Sequence, residues 1–198
     1  MYLTPTDYLG LSTTQDKEIL TEDSTVFLLE NLENSARELI SSYLRGYRAG
    51  EYDLNAIFPL IYKWDITKAY VPGTLVYDEV TLNNGTKWNN VYKCLYSNTA
   101  QNPNTPSIYW AKEDTRNALI VRVQVEIVLY DLYTRIMPDN IPAIRKERYE
   151  YALEWLKGLP SGNTAPNLPT IVVDNGDGGS STTVDGFFTK GNLQNWNY

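Results

Sequence analysis

TRNALIVRVQVEIVLYDLYTRI, residues 115–136, is the stretch whose reading decides the fold. Its apolar residues form two stripes at three- and four-residue steps: Ala118, Val121, Val125, Val128 and Leu132, then Leu119, Val123, Ile127 and Tyr130. Together they cover most of a helical circumference, which predicts one long helix buried on several sides. Residues 121–129 are rich in β-branched side chains and taken alone would pass for a buried strand. The periodic run exceeds the roughly ten residues beyond which helices outnumber strands, so it reads as helix.

Working outward, Pro138 stops that helix, and Asp139, Asn140 and Pro142 lead into another. There Tyr149, Ala152, Leu153 and Leu156 recur at helical spacing before Gly158. Upstream, Leu29, Leu32, Ala36, Leu39 and Tyr43 mark one face of a long helix that starts at Ser24 or Thr25 and ends near Gly46 or Gly50. Thr4-Pro5-Thr6-Asp7 places a hydroxyl before a first-turn proline and an acid, predicting a short helix to about Gly10. A further short turn is expected over residues 15–20.

Between these helices the character changes. Tyr62-Lys63-Trp64, Thr74-Leu75-Val76-Tyr77, Lys87-Trp88 and Val91-Tyr92-Lys93-Cys94-Leu95 are β-prone runs separated by Pro72-Gly73, Asn83-Asn84-Gly85 and Asn89-Asn90. The Asn-Gly pair signals a hairpin. After Leu159 come Pro160, Ser161, Gly162, Pro166 and Pro169, then a Gly/Ser run at residues 176–181. The expected fold is therefore mainly α: a helical bundle with a small inserted antiparallel β-module and an extended C-terminal tail. Its expected boundaries are residues 1–61 joined to 115–160, an insert over 62–114, and a flexible tail over 161–198.

Composition removes whole classes of chemistry. The 198 residues include no His, and Cys94 is the only cysteine, so a Ser-His-Asp relay, a His-ligated zinc and an intramolecular disulfide are excluded. Carboxylate-only glycoside chemistry remains open by inventory. Asp174, Asp177 and Asp185 flank the Gly run, but their spacing does not match an EF-hand loop. No catalytic residue, metal or cofactor is expected. A net charge of −7 argues against nonspecific DNA binding, which draws its affinity from Lys/Arg releasing counterions. Arg145, Lys146 and Arg148 read as a solvated face. With neither a leader pattern nor a membrane-length apolar run, the expectation is a soluble protein made in the cytoplasm.

The tail carries Phe187, Phe188, Trp196 and Tyr198, which read as anchors for a surface on the same subunit or on a neighbour.

Three blocks outside the insert, residues 1–8, 36–47 and 117–168, carry a resemblance. An aliphatic-Tyr-x-Leu-Tyr helix end (residues 128–133) is followed by a proline turn (138–142) and by Arg148-Tyr149-Glu150-Tyr151-Ala152-Leu153-Glu154-Trp155-Leu156. This combination resembles the head–tail connector (adaptor) proteins of tailed bacteriophages, including the Mu-like branch, over some two-thirds of the chain. The resemblance implies a structural virion protein rather than an enzyme. Its copies, commonly twelve, would form a ring beneath the portal protein at the head–tail junction. The ring would contact tail or other connector proteins and let DNA pass through its lumen without specific binding. The interruption over residues 62–114 departs from the short loop usual in that family.

The insert carries its own resemblance. Trp64, Tyr70, Gly73, Val76, Tyr92 and Trp110 fall in the order W…Y-x-x-G-x-x-V…Y…W, which is similar to small chitin/cellulose-binding modules. In those modules most of the matching residues fill the core, and the aromatics that contact polysaccharide follow the strand of Tyr92. Here Leu95-Tyr96 occupies that place. Trp64, Tyr70, Trp88, Tyr92, Tyr96 and Trp110 are thus the candidate aromatics of the insert, as core or as surface. A carbohydrate-binding or adhesion role is the rival reading.

Overall fold

The structure is a computed structural model and describes residues 2–12, 16, 20, 23–47, 52–83, 85, 87–159 and 167–171. It is a mixed α/β architecture of helices, a four-stranded sheet and a two-stranded sheet.

Helix α1 spans Pro5–Leu11, with Thr4 as its N-cap and proline in the first turn. The Asp7 carboxylate reaches back to accept from the Thr4 amide (2.6 Å) and hydroxyl (3.0 Å), satisfying groups that a helix start leaves unpaired. Helix α2 is Asp23–Tyr47. Its buried line, Leu32, Ala36, Ile40 and Leu44, is flanked by the half-buried Leu29, Leu39 and Tyr43. A one-turn helix α3, Leu54–Ile57, is capped by Asp53, whose side chain accepts from the amides of Asn55 and Ala56.

Helix α4, Ala118–Ile136, is the centre of the frame. The Asn117 side chain caps it by accepting from the amides of Leu119 (3.0 Å) and Ile120 (3.2 Å), a contact of about 1 kcal/mol. Val123, Gln124, Val125, Glu126, Ile127, Val128 and Leu129 are all buried, so through this stretch every side of the helix faces protein. A 3-10 turn at Pro138–Asn140 leads to helix α5, Ala143–Gly158. Helices α2, α4 and α5 share one core with Tyr2, Leu3, Tyr8, Ile57, Phe58, Leu159 and Leu168.

Between α3 and α4 lie strands β1 (Ile61–Lys63), β2 (Ala69–Tyr70), β3 (Leu75–Thr81), β4 (Lys87–Cys94), β5 (Asn98–Thr99) and β6 (Trp110–Lys112). The main sheet runs β1-β3-β4-β6, and β2 pairs with β5 in the small one. The expectation of a wholly antiparallel module is corrected: β1 pairs with β3 in parallel, with Tyr62 opposite Val76. The intervening chain, which contains β2, makes the crossover that a parallel pair requires. A second correction concerns Asn89-Asn90, which are not a turn but the middle of β4, paired with Glu79 and Asp78. The β3–β4 hairpin closes through the Asn-Gly region, where Gly85 takes φ +80°; Gly73 takes φ +89° in the turn before β3. Both conformations are costly for side chains with a Cβ.

The module holds two small cores of its own. Tyr70, Val76, Tyr92, Cys94 and Trp110 form one, with Trp64 and Tyr109 packed against it. Ile61, Leu75 and Val91, with Tyr77, form the other. Neither includes a residue of the helical core.

Residues 167–171, which the sequence places in the tail, return to the frame. Leu168 is buried, the Asp53 amide donates to the Pro169 carbonyl (3.0 Å), and Thr170 bridges Tyr52. Residues 172–198 lie outside the described residues, and with them the tail anchors and the three tail aspartates. Of the short turn expected over residues 15–20, only Asp16 and Leu20 are described, both helical.

Candidate functional site

Among the described residues no group of three or more His, Cys, Asp or Glu is placed to hold a metal ion, and no helix is long and apolar enough to cross a membrane. Cys94 is buried, which pushes its thiol pKa up, and it is held between the Tyr96 carbonyl and the Asn98 amide. What the chain offers is a set of surfaces held by buried polar clamps.

The first clamp is Arg145. Charge patterning places it, with Lys146 and Arg148, on a solvated face; the structure corrects this, because the Arg145 side chain is 0% exposed. Its guanidinium donates to Glu126 (2.9 Å), Asp16 (2.6 Å) and the Leu11 carbonyl (2.9 Å). Arg148, one helical turn on, donates to the same carbonyl (2.9 Å) and lies 3.5 Å from Glu126. Two cations thus face two carboxylates, joining α5 and α4 to the chain that follows α1. Burial raises the Glu126 pKa, against the opposing pull of Arg145, Arg148 and Arg122.

The second clamp is Arg116, at the end of the insert. It donates to both oxygens of Asp7 (2.5 and 3.2 Å), both oxygens of Asp114 (2.9 and 2.7 Å) and the Tyr2 carbonyl (2.9 Å). Its guanidinium carbon lies 5.7 Å from the centroid of the Tyr2 ring, and that ring meets Phe58 edge-on at 5.2 Å. Burial alone would lower the Arg116 pKa, but its hydrogen bonds to Asp114 and Asp7 outweigh burial and raise it. Nearby, the Asn89 amide donates to the Thr6 hydroxyl (2.6 Å), tying β4 to α1.

The third buried polar group is Glu33 on α2. Its carboxylate accepts from the Tyr8 hydroxyl (2.7 Å), and its backbone carbonyl accepts from the Gln124 side chain (3.0 Å). Burial pushes its pKa up to about 7, with the Tyr8 hydrogen bond acting in the opposite direction. The nearby acids Asp7 and Glu30 add to the rise, and Glu33 in turn helps burial raise the Tyr77 phenol. In the unfolded chain the group loses its proton near the ordinary value of 4.5, so between that pH and about 7 the folded state holds the extra proton. The stabilisation is fully present below the lower value and is lost as pH rises through the upper one. We therefore expect the melting temperature to fall from about pH 5 to about pH 7.5, and Glu33→Gln to flatten that fall. Thermal melts of both proteins across this range check it; an unchanged slope in the variant would assign the dependence to other groups.

The aromatics of the insert divide cleanly. Tyr70, Tyr92 and Trp110 are core residues, at 5%, 6% and 6% exposure. The Tyr70 hydroxyl accepts from the Asp65 amide and donates to its carbonyl, Tyr92 donates to the Asn104 side chain (2.5 Å), and the Trp110 indole donates to the Gln101 carbonyl (2.9 Å). Trp64 packs half-buried against them. Trp88 and Tyr96 are surface residues, at 42% and 59% exposure. Trp88 lies near the start of β4 and Tyr96 two residues past its end, and the six strand steps from Trp88 to Cys94 alone cover roughly 20 Å. Two adjacent sugar rings could not stack on both.

On the frame, α4 and α5 enclose an open groove of about 330 Å³. Val123 and Ala152 are buried at its base, while Leu119, Ile144 and Tyr151 are exposed in its walls and Trp155 is half-buried. Tyr149, on the same helix, turns inward and stacks on Tyr130 with centroids 4.0 Å apart. The groove was not visible in the sequence; exposed Ile144 beside buried Arg145 reverses the pattern that hydropathy suggests.

The chain matches no protein-family model, no curated protein and no solved structure.

Proposed function

We propose that this chain is a structural virion protein, a head–tail connector that assembles as a ring beneath the portal, joins capsid to tail and encloses the DNA channel. One observation carries the reading: the segments that bear the connector resemblance, residues 36–47 and 117–156, lie side by side in a single core of α2, α4 and α5. A wedge of that kind, stiffened by the buried Arg145 cluster, suits repetition around an axis. The net charge of −7 suits a lumen that lets DNA pass. In this reading the partners are the portal, neighbouring copies and tail or completion proteins, and the site of action is the virion after assembly in the host cytoplasm.

A second reading, carbohydrate binding by the insert, is supported by the exposed rings of Trp88 and Tyr96. Their separation and the burial of Tyr70, Tyr92 and Trp110 favour a structural role for most of the module's aromatics.

Negative-stain electron microscopy of the purified protein, alone and co-expressed with its portal, tests the choice. Rings, or added density on the portal, are expected. A persistent monomer that leaves the portal bare and adheres to chitin or cellulose would overturn the connector reading in favour of the second.

A further inference from the structure

We propose that the groove between α4 and α5 is the seat of the chain's own residues 187–198, FFTKGNLQNWNY. The proposal does not rest on the connector reading, since it holds for a monomer as well as for a ring.

The groove has the chemistry of a peptide site. Leu119 is 38%, Ile144 39% and Tyr151 63% exposed, so apolar and aromatic surface stands open beside Trp155 on a buried base. Apolar side chains gathered in one concave groove and rimmed by charge offer a peptide a surface that it can cover. Trp, Tyr and Arg are the residues most enriched among energetic anchors, and Tyr151, Trp155, Arg122 and Arg148 all line this one groove.

The proposed occupant complements it. Four of its twelve residues are aromatic, it contains no acid, and its one cation is Lys190. Phe187, Phe188, Trp196 and Tyr198 supply rings for the apolar walls and for stacking on the guanidinium groups of Arg122 and Arg148. The exposed Glu147 at the groove supplies a carboxylate for Lys190.

The length of the chain sets its reach. The described structure ends at Ile171, beside Leu44 and Tyr52, and Phe187 follows sixteen residues later. Sixteen residues reach at most about 55 Å when fully extended.

Photocrosslinking of the full chain tests the assignment, with p-benzoylphenylalanine in place of Trp196 and adducts mapped by mass spectrometry. Adducts concentrated on residues 119–126 and 144–155 are expected, and they support the proposal whether they join one chain or two. Ile144→Glu, at an exposed position that leaves the fold intact by circular dichroism, should cut the adduct yield by about tenfold or more. Adducts spread over the surface or concentrated on the β-module, or a yield unmoved by Ile144→Glu, would overturn the assignment.

Discussion

Replacing Arg145 with methionine is expected to lower folding stability by about 3–5 kcal/mol, a large part of the roughly 5–15 kcal/mol that holds a domain folded. The reason is what it leaves behind. Asp16 and Glu126 are 0% and 5% exposed and both accept hydrogen bonds from this guanidinium, so removing it takes a buried counter-charge from two carboxylates held away from water. Arg148, at 35% exposure and 3.5 Å from Glu126, is too distant and too solvated to substitute. The loss should grow with rising pH, because burial already raises the Glu126 pKa and losing Arg145 removes its main counterweight. Urea unfolding at about pH 5 and pH 8 measures both effects. Adding Asp16→Asn and Glu126→Gln to the variant should recover most of the loss, since a buried ion pair contributes less than its rupture costs. A loss below about 1 kcal/mol in the single variant would show that water reaches this site.

Trp110→Ala is expected to cost the β-module about 3–5 kcal/mol and to unfold it while the helices remain. Trp110 is 6% exposed, meets Tyr70 edge-on at 5.3 Å and donates to the Gln101 carbonyl, so one substitution removes the largest core side chain, an aromatic pair and a hydrogen bond. A module of about fifty residues has little reserve against such a change. None of its core residues belongs to the helical cluster, so the damage should stay local. Far-ultraviolet circular dichroism should keep its helical signal while the near-ultraviolet aromatic signal falls to the part that the frame's own rings contribute. Cooperative loss of both would show that frame and module fold as one unit.

The frame was legible in the sequence because its helices are written in apolar spacing. The two stripes of α4, the proline after it and the turn before α5 each appear where the periodicity puts them, and Asn117 caps α4 as its residue type allows. The Asn-Gly hairpin likewise follows from local backbone preference. Buried polar residues escaped, because periodicity counts Gln124, Glu126, Arg116 and Arg145 as surface. Their partners lie far along the chain: Leu11 and Asp16 for Arg145, Tyr2 and Asp7 for Arg116. The parallel β1–β3 pair escaped for the same reason, since no local signal states which strand will lie alongside another. Asn89 and Asn90 resemble a turn by type, yet the hairpin register carries them into the strand. The α4–α5 groove depends on which side of α5 its buried arginine faces, and that is decided only in three dimensions.

The ring of Tyr2 touches both Phe58, just before β1, and Arg116, just after β6, so the two ends of the β-module meet at a single side chain near the start of the protein. A polypeptide looped out from neighbouring points imposes little closure entropy on its host, and that cost grows only logarithmically with the loop's length. A shorter turn, or an unrelated domain with closely spaced termini, is therefore expected to be tolerated in place of the module, with Tyr2, Asp7 and Arg116 holding the two ends together.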